Sequence, residues 1–280
     1  MKITFSQVLT DFSSPMMLKA VAVGMLVSLC AAMLGVILVL KRYSLIGHGL
    51  GEVGFASAAI AGLIGLSDYS LAVSIPLVTL SSILIMRFDR KSGMGGDVLI
   101  GIFSTAALAV GVIASYYTTG YTGVYNSMFG SVFGLTKGYV WAAAILCVVI
   151  IATFVLLYNR LFSVTFDETY SRATGMNADG YQFLISLLTS VSVVLGMKVM
   201  GAMMISSFII FPALTARRLA RSFKGMIAGA VVTAVVSFLL GMVVSYFTNL
   251  PSGACVVGVN LVIMLIVFAI SAIRGKSTFN

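Results

Sequence analysis

Residues 98–117 read VLIGIFSTAALAVGVIASYY, a stretch without a single charged side chain. About 20 apolar residues match the hydrocarbon core of a bilayer, which is about 30 Å thick. A backbone in lipid must satisfy its own hydrogen bonds, and a helix does so within one segment. The stretch therefore predicts a membrane-spanning α-helix.

The composition of the whole chain agrees with that prediction. Of the 280 residues, 60% are hydrophobic and only 9% are charged, whereas a soluble domain carries roughly 25% charged residues. This excludes a soluble globular protein, because lipid must cover the remaining surface. The net charge of +9 does not indicate nucleic-acid binding, since the basic residues lie between the apolar runs and do not form one patch.

Counting apolar runs between charges gives the predicted architecture. We predict an all-α, polytopic membrane helical bundle with eight or nine spanning segments, forming a single transmembrane domain over residues 1–280. The sixth and seventh runs are short and are separated only by Lys198, so one of them is either a re-entrant or a broken helix, or both cross. The runs are residues 17–40, 46–66, 69–86, 98–117, 138–158, 181–197, 199–216, 225–247 and 254–273.

Basic residues cluster after alternate runs, and such clusters favour the cytoplasmic side of a membrane. This bias predicts a cytoplasmic C-terminus and, if all nine runs cross, an external N-terminus. The clusters are Lys41 and Arg42; Arg87, Arg90 and Lys91; Arg160 and Arg172; Arg217, Arg218, Arg221 and Lys224; and Arg274 and Lys276.

One predicted cytoplasmic connection, residues 160–182, has the signals of a short helix. Asp167 and Glu168 favour the positive end of a helix, and Gly175 is placed to stop it. The segment is either a docking surface for a partner or an interfacial turn without one.

One carboxylate, that of Glu52, falls inside a predicted span. Insertion of an acidic group at a helix centre costs about 2.5–3.5 kcal/mol, so such a residue indicates a functional site. His48, the chain's single histidine, lies four positions earlier, and this spacing puts both side chains on one helix face. Arg42 precedes Glu52 by about 15 Å of helix, which predicts a carboxylate near mid-membrane.

An imidazole and a carboxylate are ligands suited to Zn²⁺ and acceptable to Mn²⁺ or Fe²⁺. Two ligands do not complete a site, so a symmetry mate would have to supply a second pair. Two alternatives remain: His48 and Glu52 only lock neighbouring helices, or they relay protons in a secondary metal transporter. An intramembrane protease is disfavoured, because the chain lacks a nucleophile motif and paired aspartates.

Other features of the sequence bear on these alternatives. The chain contains no GxxxxGK[ST] motif, so ATP-driven transport would need a separate chain to hydrolyse ATP. The methionines of residues 197–204 alternate with small residues, a pattern that favours helix packing over a Cu(I) path. Cys30, Cys147 and Cys255 lie inside apolar runs and are predicted to be small buried residues.

Five stretches, in this order, resemble the membrane permease subunits of ABC-type zinc and manganese importers. They are KRYSLIGHGLGEVGFASAAIAG (41–62), GGDVLIGIFSTAALAVG (95–111), FDETYSRATGM (166–176), VMGAMMISSFIIFPALTARRLA (199–220) and LPSGACVVGVN (250–260). The family motif SLIGDALSHA carries an Asp and a His as metal-site residues, at the positions of His48 and Glu52. The carboxylate and the imidazole are kept here in reversed order.

The resemblance implies a fold similar to that of cobalamin and siderophore importers, in a bacterial plasma membrane. It further implies a non-catalytic subunit that forms a homodimer, binds two cytoplasmic ABC ATPases and receives its metal from an extracellular binding protein. Zinc is the expected cargo, otherwise manganese or iron, and no permanent cofactor is expected. Residues matching the family's coupling helix, which docks on the ATPase, are Asp167, Glu168, Arg172, Ala173 and Gly175.

Overall fold

The computed structural model describes residues 15–118 and 137–273, and in these ranges the chain is helical and contains no strand. This confirms the predicted all-α bundle. The helices are α1 (Pro15–Leu40), α2 (Ile46–Leu63), α3 (Ser70–Ser92), α4 (Gly96–Thr118), α5 (Lys137–Leu156), α6 (Tyr158–Phe166), α7 (Glu168–Ala173), α8 (Ala178–Met200), α9 (Ala202–Leu219), α10 (Phe223–Thr248) and α11 (Ser252–Ile273), with a 3-10 turn at Ser67–Tyr69.

Within the described ranges, eight helices are long and apolar enough to cross a membrane. They are α1, α3, α4, α5, α8, α9, α10 and α11. The remaining long helix, α2, has 18 residues and carries both His48 and Glu52. The helices α3, α4 and α9 pack against it, and its Glu52 side chain is only 13% exposed.

The sixth and seventh apolar runs form two separate helices, α8 with 23 residues and α9 with 18. Gly201 is the single residue between them, with φ +92° and ψ 156°, a conformation that glycine adopts readily. Lys198 lies inside α8 and does not mark the boundary. Both helices have the length of a full span, at about 1.5 Å per residue.

The helices α1 and α8 form the centre of the bundle, and most of their residues are buried. By contrast, α5 and α11 expose apolar side chains, as expected for surfaces that face lipid. All three cysteines are unpaired and buried, as the sequence predicts.

The described basic clusters gather at one end of the bundle. At that end Lys41 bonds Glu168, Arg160 bonds Tyr181, and Lys224 lies over the ring of Tyr158. This agrees with the alternating pattern of the sequence. Arg274 and Lys276 lie outside the described residues, as does the connection 119–136.

Candidate metal site and coupling segment

Close helix packing positions α2. Gly47 faces the side chain of Ile209 in α9, and Gly49 faces Ile100 in α4; a Cβ at either glycine would come within 2.7 Å of its neighbour. Small residues at these contacts let the helices approach more closely than larger side chains would. The α2 backbone, which carries the polar pair of His48 and Glu52, is therefore held on two sides.

His48 and Glu52 meet as their spacing predicts. The His48 Nε2 atom lies 3.3 Å from Glu52 Oε1, and the two side chains are 57% and 13% exposed, respectively. The imidazole thus reaches the surface of the single chain, while the carboxylate is mostly covered. An exposed imidazole beside a covered carboxylate leaves one side of the pair open to another ligand.

Ser104 in α4 also contacts the carboxylate of Glu52. Its hydroxyl donates a hydrogen bond to Glu52 Oε2, and Ser104 itself is buried. Sequence reasoning missed Ser104, because its hydroxyl lies in an apolar run and only tertiary packing brings it to α2. The bond orients Glu52 and leaves Oε1 toward His48.

The helix that carries the pair begins later than the 15 Å expectation assumes. Residues 41–45 form a turn, and α2 begins only at Ile46. Glu52 is therefore about 9 Å along the helix axis from its start. The expected 15 Å assumed continuous helix from Arg42 to Glu52, and that assumption was wrong because residues 42–45 belong to the turn.

The ligand count of one chain is incomplete for a closed metal site. Within the described ranges, no group of three or more His, Cys, Asp or Glu side chains could hold a metal ion. Zinc sites in proteins usually have four ligands, or three with an open position. One copy of the pair supplies two.

The predicted short helix of residues 160–182 is present as α7. Its N-cap is Asp167, whose side chain accepts a hydrogen bond from the Tyr170 backbone N–H at 2.8 Å. Ala173 is its last residue, and Gly175 follows with φ +78°, a left-handed conformation typical of helix ends. Both end signals were therefore placed correctly.

An ion network surrounds α7. Arg172 Nη2 lies 3.1 Å from Glu168 Oε1 and 2.6 Å from Asp179 Oδ1 in α8. The hydrogen bond with Glu168 is the main cause that raises the pKa of Arg172, so the guanidinium stays charged. Tyr170, which sequence reasoning did not single out, is 62% exposed and presents an aromatic ring beside the network.

Comparison with known proteins decides the family. The model of the ABC 3 transport family matches residues 13–271. The chain belongs to the ABC 3 transport family. It is thus a transporter permease, which is a transport subunit. Both α2, with His48 and Glu52, and the short helix α7 are parts of this subunit.

The ABC 3 permease has relatives of nearly its own length. It is 26% identical over 257 residues to the manganese transport system membrane protein MntC of Listeria monocytogenes, covering 92% of this chain and 91% of that one. It is 25% identical over 243 residues to the high-affinity zinc uptake system membrane protein ZnuB of Haemophilus influenzae, covering 85% and 91%. PsaBC from Streptococcus pneumoniae in complex with Fab has the same fold, with TM-score 0.84, 23% identity and 95% coverage of both chains.

A polar cavity of about 530 Å³ opens in the ABC 3 permease at the end opposite the basic clusters. Phe55, Ala59 and Gly62 line it from the same face of α2 that carries Glu52. Its other walls include hydroxyl side chains and the ammonium of Lys198; these residues are Ser67, Ser70, Ser115, Tyr117, Thr118 and Lys198. The cavity thus continues the face of α2 beyond the pair.

Methionines of residues 197–204 behave as packing residues in the ABC 3 permease. Met197, Met200 and Met204 are buried, and a Cβ at Gly54 would touch Met197 Sδ and Cε at 3.2 Å. Met203 is 49% exposed, so the four sulfurs do not line one path. This favours the packing interpretation over a Cu(I) path.

Proposed function

We propose that this permease is the membrane subunit of an ATP-driven importer that carries a divalent transition metal into the cytoplasm. The main support for this proposal is the His48–Glu52 pair, which lies on a mainly apolar, well-packed helix. Its imidazole nitrogen and carboxylate oxygen are 3.3 Å apart. Its two donor types suit first-row divalent metals. The names of relatives that transport manganese or zinc support the same cargo class.

The metal is held between two copies of the chain in this proposal. A homodimer supplies two imidazoles and two carboxylates, which is the four-ligand count that zinc prefers. The 57% exposure of the His48 side chain supports this arrangement, because the imidazole can reach a ligand bound by a second protomer. Loose coordination by two separable halves also favours release of the ion.

Energy comes from two cytoplasmic ABC ATPases that dock on the segment Asp167–Gly175. An ordered, capped helix with an exposed aromatic residue supports that role. By the positive-inside bias, the end with the basic clusters and the C-terminus face the cytoplasm of a bacterium. An extracellular metal-binding protein then delivers the ion at the opposite end, where the polar cavity opens.

Zinc is the cargo that the ligands favour, with manganese second. Imidazole is a better ligand for zinc, whereas manganese prefers oxygen donors. Rescue of a strain that lacks its own importer separates the two. Growth restored under zinc limitation supports zinc, and growth restored only under manganese limitation supports manganese.

Uptake by the Glu52→Gln variant tests the site. The amide keeps the size of the side chain but loses the charge, so metal accumulation should fall to background while ATPase assembly persists. Asp97→Asn is the matched control, because Asp97 is an exposed acid in the first turn of α4. Normal uptake by Glu52→Gln would reject the site.

The same cells separate the proposal from a proton-coupled transporter. ATP-driven uptake should continue when the proton gradient is collapsed and should stop when ATP is depleted. The opposite pattern would make His48 and Glu52 a proton relay.

A further inference from the structure

The turn of residues 41–45, called here the α1–α2 turn, is bonded to α7. Lys41 Nζ lies 3.4 Å from Glu168 Oε2 across 127 positions of sequence. The Lys41 side chain is only 7% exposed and that of Glu168 is 28% exposed. A covered ammonium is costly without a charged partner, so the ion pair with Glu168 holds the α1–α2 turn against α7.

The α1–α2 turn has little freedom of its own. Arg42 has φ +63°, a conformation that side chains other than glycine rarely adopt. The Tyr43 hydroxyl donates to Asp89 Oδ2 in α3 at 2.7 Å, and the Tyr43 backbone N–H donates to the Leu38 carbonyl at 2.9 Å. The turn therefore moves as a unit.

That unit leads directly into the helix that carries the polar pair. The backbone N–H of Ile46 donates to the Tyr43 carbonyl at 3.2 Å, and that of His48 donates to the Leu45 carbonyl at 3.0 Å. His48 thus stands in the first hydrogen-bonded turn of α2. A shift of the α1–α2 turn reaches the imidazole without a flexible linker.

At the other end of this ion pair, Glu168 is fixed within α7. Arg172 holds its second carboxylate oxygen at 3.1 Å and bonds Asp179 at 2.6 Å. The Arg160–Tyr181 contact near this end joins α6 to α8. Lys41 with Glu168 is therefore a direct link between α7 and the start of α2.

We propose that Lys41 and Glu168 are positioning residues that transmit displacement of α7 to the His48–Glu52 pair. Movement of α7 pulls on the Lys41 ammonium, the rigid turn follows, and the first turn of α2 shifts with it. Neither residue touches the metal. The inference deepens the proposed function and rests on it, because α7 must receive the motion of the ATPases.

The test measures metal transported per ATP hydrolysed, with the complete transporter and its ATPases in proteoliposomes. Lys41→Met and Glu168→Gln should each lower this ratio about fivefold, within the range of measured coupling between contacting residues. The double variant should be no worse than the poorer single variant, and Lys41→Arg should keep most of the ratio. Lys224→Met is the matched control, since Lys224 contacts the Tyr158 ring at the same end.

Several outcomes overturn the proposal. An unchanged ratio in Lys41→Met does so, as do losses that multiply in the double variant. If Lys41→Met does not assemble, the Glu168→Gln variant at the more exposed residue decides alone. Glu52→Gln is measured in the same vesicles, and normal transport by this variant rejects the metal site. The metal transported per ATP by Lys41→Met still tests the Lys41–Glu168 link independently.

Discussion

The helices α1 and α9 pack closely at Gly35, and Gly35→Ala should separate them. An added Cβ would lie 2.2 Å from the Ile209 carbonyl oxygen, 2.9 Å from its carbon and 3.0 Å from its Cα. Ordinary contact needs about 3.5 Å or more, so the helices must move apart by about 1 Å. The obstacle is backbone, which cannot rotate away as a side chain can.

The expected cost is about 3 kcal/mol, the upper end of the range for overpacked cores. At an unfolding entropy of about 2.1 cal/mol/K per residue, that loss lowers the thermal midpoint of this 280-residue chain by about 5 °C. The displacement also reaches the polar pair, because the Ile209 side chain packs on Gly47 in α2. Metal uptake should therefore fall with stability.

Thermal unfolding of the detergent-solubilised permease, followed by size-exclusion chromatography, measures this loss. Gly258→Ala is the matched control, since nothing lies within 4 Å of a Cβ there. Alanine is the better helix former by about 1 kcal/mol, so the control should be neutral or slightly stabilising. Equal midpoints for the two variants would refute the packing argument.

Two further outcomes follow from the described contacts. Asp167→Ala removes the N-cap of α7, which is worth about 1 kcal/mol, and should lower ATP-driven uptake several-fold. Asp167→Asn keeps a cap and should keep most of the uptake. Equal uptake rates for the two variants would contradict this role of the cap. Met200→Leu should leave uptake unchanged, since such swaps cost less than about 1.5 kcal/mol, and lost uptake would instead indicate a thioether ligand.

The sequence predicted features that depend on neighbouring residues. Apolar runs predicted the long helices, because the bilayer fixes their length and composition. The four-residue spacing predicted the contact of His48 with Glu52, since helix geometry alone determines it. Asp167 and Gly175 likewise marked the two ends of α7 through local backbone preferences.

Features that depend on tertiary packing were not predictable. Ser104 meets Glu52 only because α4 packs on α2, and Lys41 meets Glu168 only because the chain folds back over 127 positions. The break in the helix between Arg42 and Glu52 was missed, because the α1–α2 turn carries no glycine or proline to mark it; Arg42 takes the left-handed conformation instead.

Metal binding by the purified permease, free of its ATPases, tests the central claim most directly. Equilibrium dialysis with radioactive zinc, and in parallel with manganese, should find about one ion per two chains, because two pairs make one four-ligand site. Glu52→Gln should abolish that binding and Asp97→Asn should retain it. Binding by Glu52→Gln with the stoichiometry and affinity of the unaltered chain would contradict the claim.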